Sequence, residues 1–169
     1  IRVKASAIAA LVMLAAAPYY VGFAGAAALL GVQVLPVRSN SDGIDLDDLR
    51  SQVRGARARG LRPRGCYLVP DFSNPTGTSL GLEARNELIA LAQADDLLLL
   101  EDNPYGLFGS ESRPPTLKSL DRTNHVVYFG SFAKTVMPSA RVGYIVADQS
   151  VRQGGRPDGL LADKLSMVK

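Results

Sequence analysis

Cysteine and histidine are nearly missing from this sequence, which holds one of each, Cys66 and His125, in 169 residues. A single cysteine excludes an intramolecular disulfide framework and any cysteine-cluster metal site. A single histidine leaves no histidine-based metal site of ordinary type. A Ser–His–Asp arrangement would have to use His125 itself. Lysine is confined to positions 4, 118, 134, 164 and 169, so the formal charge of +3 rests mainly on arginine. Charge of either sign is absent from Ala5 to Val37. No internal repeat or low-complexity tract occurs. Cys66 and His125 themselves are assigned to structure, a strand-edge thiol and a loop imidazole.

What is present has globular proportions. Hydrophobic residues make up 47% and charged residues 21%, which excludes disorder as the main state. The charge-free N-terminal stretch admits two readings. Arg2 and Lys4 precede an apolar run from Ala7 to Leu14, and Ala15-Ala16-Ala17 follows, which is the shape of a secretory signal. A membrane span is opposed by Pro18, Tyr19, Tyr20 and Gly22, which interrupt the run before about 20 residues have passed. The preferred reading is a buried strand at Leu11–Leu14, a turn at Pro18, a buried helix at Val21–Leu30 ended by Gly31, and a strand at Val32–Val37. The start at Ile1 and the stop at Lys169, inside a helical pattern beginning at Leu160, suggest a piece of a longer chain.

Further along, Asp45 is placed to N-cap a helix through Leu46, Leu49 and Val53, with Asp47 and Asp48 in its first turn. Arg50, Arg54, Arg57, Arg59, Arg62 and Arg64 follow without an acid between them. No aromatic residue interleaves them, so they read as a solvated helix end and loop, not a nucleic-acid surface. Tyr67–Val69 predicts a short strand, Asp71–Gly77 a loop and Leu82–Ala94 an amphipathic helix. The apolar runs Leu97–Leu100, Val126–Phe129 and Val142–Val146 predict further strands. Strands alternating with helices imply βαβ units, an α/β fold with a mostly parallel sheet and flanking helices. Arg152–Gly159 is the one linker candidate.

Polar residues cluster just past the ends of these strands, where open α/β sheets place ligands. Asn74-Pro75-Thr76-Gly77 follows the first, Glu101-Asp102-Asn103-Pro104-Tyr105 the second, and Gly130-Ser131-Phe132-Ala133-Lys134 the third, with Arg141 beyond. The spacings are 28 from Asn74 to Asp102, 3 from Asp102 to Tyr105, 32 from Asp102 to Lys134 and 7 from Lys134 to Arg141. Each piece alone is a turn, a cap or a surface lysine. As a set they resemble the class I/II aminotransferases, pyridoxal-phosphate enzymes of fold type I, in the branch of the kynurenine and α-aminoadipate aminotransferases. The resemblance runs from about Pro18 to Lys169.

It implies pyridoxal 5′-phosphate as cofactor and the major domain of a fold type I enzyme, incomplete here. Residues 1–150 would form the central part of the cofactor-binding domain, and 151–169 a linker and the start of a helix leading onward. Lys134 matches the lysine that forms the internal Schiff base and shuttles the substrate proton. Such an amine must be largely unprotonated, which a buried site beside cationic groups favours. Asp102 matches the carboxylate paired with the pyridine nitrogen, and Asn74 with Tyr105 the pair bound to the ring 3′-oxygen. Ser131 and Arg141 match phosphate anchors, and Tyr20 the aromatic ring stacked on the pyridine. The catalytic set is then Lys134, Asp102 and Tyr105.

The sequence departs from the family pattern in places. Ala133 stands where many relatives carry a second hydroxyl, and Ser139-Ala140 replaces the usual Gly-Leu before Arg141. A small-residue phosphate loop has no counterpart among Ile1–Ala17, and the arginine that binds a substrate carboxylate would lie past Lys169. The implied activity is transamination between an amino acid and a 2-oxo acid. A lyase or oxidase on the same scaffold, or a non-catalytic sensor domain of a transcription regulator, is the alternative. The implied assembly is a homodimer of the full-length protein, cytoplasmic, with no nucleic acid or membrane partner.

Overall fold

Residues 11–108, 114–140, 142–153 and 156–166 are described by a computed structural model. In chain order the elements are β1 (Leu11–Ala16), α1 (Val21–Leu29), β2 (Gln33–Val37), β3 (Ser39–Asn40), β4 (Gly43–Ile44), α2 (Leu46–Ala58) and β5 (Arg62–Leu68). Then come α3 (Leu82–Ala94), β6 (Leu98–Asp102), α4 (Leu117–Leu120), β7 (Val126–Ser131), β8 (Gly143–Val146), β9 (Ser150–Gln153), β10 (Arg156–Leu160) and α5 (Leu161–Ser166).

Six strands form one sheet in the order β2-β1-β5-β6-β7-β8. All neighbours pair in parallel except β7 and β8, which are antiparallel. The expected mostly parallel α/β architecture is therefore present. The chain leaves β1 for β2 on one side, then crosses back to place β5 on the other side of β1. At such a reversal the loops beyond the carboxyl ends of the two strands diverge and leave a crevice.

Local chemistry explains most of the elements. The Asp45 carboxylate accepts from the amides of Asp47 and Asp48, both at 3.0 Å, and so caps α2. Leu49, Val53 and Ala56 recur at helical spacing and are fully buried against the sheet. Leu88 and Leu91 of α3 join Leu99 of β6 and Val126 of β7 in the same core. Leu49, Leu88 and Leu99 are at 0% exposure, and each such burial is worth roughly 1.5–3 kcal/mol.

Strand β5 begins at Arg62, five residues before the expected start at Tyr67. Pro63 and Gly65 are residues that a strand interior disfavours, yet the sheet accommodates both. The register with β1 shifts between Val12 and Met13, next to Pro63, so the missing proline donor falls at an irregularity. At Gly65 an added Cβ would lie 2.8 Å from the Leu98 carbonyl oxygen and 2.8 Å from Met13, so only glycine permits this approach.

The stretch expected as a linker carries β9 and β10, an antiparallel pair. Of the predicted C-terminal helix, Leu161–Ser166 is helical and residues 167–169 lie outside the described set. The arginine-rich segment is partly neutralised: Arg50 pairs with Asp47 and Glu87, Arg57 with Asp95, and Arg64 with Asp96. Among the described residues no helix is long and apolar enough to cross a membrane. Helix α1 is apolar throughout, yet only Ala27 is buried, with Val21 77% and Leu29 91% exposed. Strand β8 is likewise exposed along its whole length.

Candidate active site

The carboxyl ends of β1, β5, β6 and β7 meet around a cleft of about 380 Å³. It is lined by Tyr20, Asn74, Asp102, Tyr105, Ser131 and Lys134, together with Val69, Pro104, Ala133, Val142 and Gly143. Six of the seven residues singled out from the sequence thus come together. The seventh, Arg141, lies outside the described residues.

Strand β6 delivers two adjacent carboxylates to opposite faces, because side chains alternate along a strand. Glu101, at 0% exposure, faces the α3 and α4 side. It accepts from the amides of Leu117 at 3.0 Å and Lys118 at 2.8 Å, which satisfies the first turn of α4. Burial pushes its carboxyl above the usual range, against those two bonds and the field of Arg85. Glu101 is therefore a structural acid, a role its position beside an apolar run does not announce.

Asp102 points the other way, into the cleft. Its Oδ2 accepts from the phenol of Tyr67 at 2.5 Å. Burial raises the Asp102 carboxyl and the Tyr67 bond opposes that rise. Burial, and after it the carboxylate, hold the Tyr67 phenol far above the normal tyrosine range. Phe23 of α1 stacks on the Tyr67 ring at 4.1 Å between centroids and 8° between planes. The sequence reading missed Tyr67 and Phe23. The signal available was an aromatic residue on β5 seven positions before Asn74, in a strand otherwise read as plain core.

Tyr20 stands at the entry of α1, where its carbonyl accepts from the amides of Phe23 and Ala24. Its ring lies across Gly22, since a Cβ there would fall 2.3 Å from Tyr20 Cε1. The Asn74 loop closes through Leu80 N to Pro70 O at 2.8 Å and Ser73 N to Thr78 O at 2.9 Å. The Asn74–Pro75 peptide is cis. Ser131 ends β7, and its Oγ accepts from the Ala133 amide at 3.2 Å. Lys134 lies in the turn after it, where the amides of Thr135, Val136 and Met137 converge on the Phe132 carbonyl.

Lys134 is exposed, which departs from the expected buried amine. The turn follows the end of β7, where Phe132 packs against Tyr144 of β8 with ring centroids 5.2 Å apart while the Lys134 side chain stays open to solvent. Among the described residues no carboxylate pairs with its amine and no group of three or more His, Cys, Asp or Glu is arranged to hold a metal.

Comparison with known proteins identifies the family. Residues 5–157 match the family model described as aminotransferase class I and II. A (S)-3,5-dihydroxyphenylglycine transaminase of Amycolatopsis orientalis is 58% identical over 158 residues, covering 94% of this chain and 35% of its own length. Crystal structures give the same answer. An α-aminoadipate aminotransferase of Thermus thermophilus, complexed with N-(5′-phosphopyridoxyl)-L-leucine, aligns with TM-score 0.70 and 38% identity over 82% of this chain and 35% of that one. A kynurenine aminotransferase of Pyrococcus horikoshii aligns with TM-score 0.75 and 28% identity over 81% of this chain and 34% of that one. The chain thus spans about a third of the length of the relatives it matches. With a fold type I sheet and a family match across most of its residues, the chain belongs to the class I and II aminotransferases.

Proposed function

We propose that this chain carries the cofactor-holding part of a pyridoxal 5′-phosphate-dependent transaminase, which moves an amino group between an amino acid and a 2-oxo acid. One observation supports this above the others: four strand ends bring an amine, a carboxylate, a phenol, an amide and a hydroxyl to a single cleft. That donor set fits the group. A protonated ring nitrogen needs a carboxylate, a ring oxygen needs donors, and a phosphate needs a hydroxyl and cations. When bound, the cofactor supplies an aldehyde that condenses with amines and a ring that takes up the electron pair released at the substrate Cα.

In this reading Lys134 Nζ would hold the cofactor and, once the substrate amine has displaced it, would as a free amine take and return the proton of the substrate Cα. Asp102 keeps a negative charge opposite the ring nitrogen, with Tyr67 fixing the orientation of its carboxyl. Asn74 and Tyr105 bind the ring oxygen, Ser131 and Arg141 hold the phosphate, and Tyr20 covers one face of the ring. Residues 1–150 then make up the central part of the cofactor domain, with 151–169 leading on. The uncovered apolar helix α1 and strand β8 support a homodimer of the complete protein. A cytoplasmic location is part of the same reading.

The test is direct. Pyridoxal 5′-phosphate is added to the protein, the mixture is reduced with borohydride, and the adduct is mapped by mass spectrometry. The adduct belongs on Lys134 and is lost in Lys134→Ala; an adduct elsewhere sinks the cofactor reading. Amino transfer is then followed in the complete protein. (S)-3,5-Dihydroxyphenylglycine is the first amino donor to try, given the 58% identity to its transaminase, with 2-aminoadipate as comparison. Cofactor capture without 2-oxo acid release overturns the transaminase assignment alone.

A further inference from the structure

Arg85 is the largest fully buried side chain among the described residues, at 0% exposure. A guanidinium away from water is costly unless it is paired and every donor is used. Here every donor is used. Nε donates to the Leu80 carbonyl at 2.8 Å. Nη1 donates to the Pro115 carbonyl at 3.1 Å and to Asp71 Oδ2 at 3.5 Å. Nη2 donates to Asp71 Oδ1 at 2.5 Å and to the Pro70 carbonyl at 3.4 Å. Asp71, 5% exposed, also accepts from Asn103 Nδ2 at 2.8 Å. Asn103 in turn donates its own amide to the Phe129 carbonyl at 2.9 Å.

None of these three residues lines the cleft, but their attachments surround it. Pro70 and Leu80 are the two ends of the loop that carries Asn74, already joined by Leu80 N to Pro70 O. Asp71 is the first residue inside that loop. Asn103 directly follows Asp102, and Phe129 belongs to the strand that ends at Ser131. One guanidinium therefore grips both ends of the Asn74 loop. Through one carboxylate it ties that loop to the tip of β6.

We infer that Arg85, Asp71 and Asn103 are positioning residues that set the distance between Asn74 and Asp102 across the cleft. This rests on the cofactor reading given above, since those two side chains are its contacts to two different groups of one ring, the 3′-oxygen and the nitrogen. A flat, rigid ligand gripped at two points needs both grips at a fixed separation, and small displacements weaken binding steeply. Lysine cannot take over, because a point ammonium with three donors does not span two carbonyls at the loop ends and a carboxylate.

The variant of choice is Asn103→Ala, which removes only the link from β6 to Asp71 and leaves the Arg85–Asp71 pair intact. Arg85→Lys is the harsher second variant. In the full chain, Asn103→Ala is expected to weaken pyridoxal 5′-phosphate binding on the order of tenfold. In the cofactor-free protein it should speed hydrogen exchange of the amides from Phe72 to Ser79. In an Asn74→Ala background its effect on cofactor affinity should shrink, because one of the two grips is already gone. A variant that lowers the melting temperature but leaves exchange in this loop and cofactor affinity unchanged shows a merely structural brace and overturns the inference. The two readings fail separately. No cofactor binding by the unmodified chain removes the parent reading, whereas binding sensitive to Asn74→Ala but not to Asn103→Ala removes this one.

Discussion

Tyr67 and Asp102 sit on neighbouring parallel strands, and the phenol of the first donates to the carboxylate of the second at 2.5 Å. The phenol stays protonated because burial and the adjacent carboxylate both resist a second negative charge. It is therefore a permanent donor, and it holds down a carboxyl that burial would otherwise push higher still. An acid meant to stay ionised in a half-buried cleft needs such a donor.

Replacing Tyr67 with Phe should remove that bond while keeping the stack on Phe23, whose centroid lies 4.1 Å away. The Asp102 carboxyl should then titrate at higher pH in the cofactor-free protein, which carboxyl-carbon NMR can follow. A hydrogen bond to a charged group is worth roughly 1.5–3 kcal/mol, and cofactor affinity should fall by the share of it that is gained only when the carboxylate meets the ring nitrogen. An unchanged Asp102 titration would show that the bond does not set the charge of the carboxylate.

Gly22 offers a way to move Tyr20 without touching it. Alanine at this position of α1 should favour the helix by about 1 kcal/mol over glycine. Its Cβ, however, would fall 2.3 Å from Tyr20 Cε1, so the ring has to leave its place. Gly22→Ala should keep or raise the melting temperature while weakening cofactor binding as much as Tyr20→Ala does. Offset stacking is worth about 0.5–1.5 kcal/mol, so the loss should be several-fold. Tyr20→Phe should bind normally.

The parts of this molecule readable from sequence are those decided locally. Asp45 caps α2 through amides two and three residues away. The apolar run at Leu97–Leu100 becomes a core strand because nothing else can bury it. Five of the six cleft residues lie at or just past strand ends, which local patterning marks, but their roles, and Tyr20 altogether, were read from the family resemblance. What was hidden depends on distant partners. Arg85 looks like the polar face of an amphipathic helix until Asp71, 14 positions back, and Pro115, 30 positions on, close around it. Its spacing from Leu88 and Ala92 was the one available clue, since all three share a helix face. Tyr67 and Asp102 are 35 positions apart, and only strand pairing joins them. Pro63 and Gly65 carry the opposite lesson, as residues that a strand interior disfavours, held in one by an irregular register.

Cys66 gives a clean probe of the whole fold. It is the sole cysteine, fully buried, and burial pushes its thiol up to about 12. The thiolate is the reactive form, so the native chain should resist a chromogenic disulfide reagent near neutral pH. Denatured chain should release one equivalent per molecule. The labelling rate against urea concentration then reports opening of the sheet between β1 and β6, and rapid labelling without denaturant would contradict the packing of β5.

Asp121 should govern the acid side of stability. Its Oδ1 accepts from the amide and hydroxyl of Thr123, at 2.9 and 3.0 Å, and its Oδ2 from the Val126 amide at 2.9 Å. Burial pushes this carboxyl up, but the Thr123 and Val126 amides, the Thr123 hydroxyl and Lys118 outweigh it, and the net shift is downward. The folded state thus releases the proton more readily than the unfolded chain, whose aspartates titrate near about 3.9. The stabilisation is present above that value and is lost as pH falls through the lower folded one. Asp121→Ala should cost about 1–3 kcal/mol at neutral pH, read from the urea midpoint. The gap between variant and parent should then narrow below about pH 4, because protonation weakens in the parent what the variant already lacks. A gap of constant size across the acid range would mean that Asp121 acts by shape alone, not by charge.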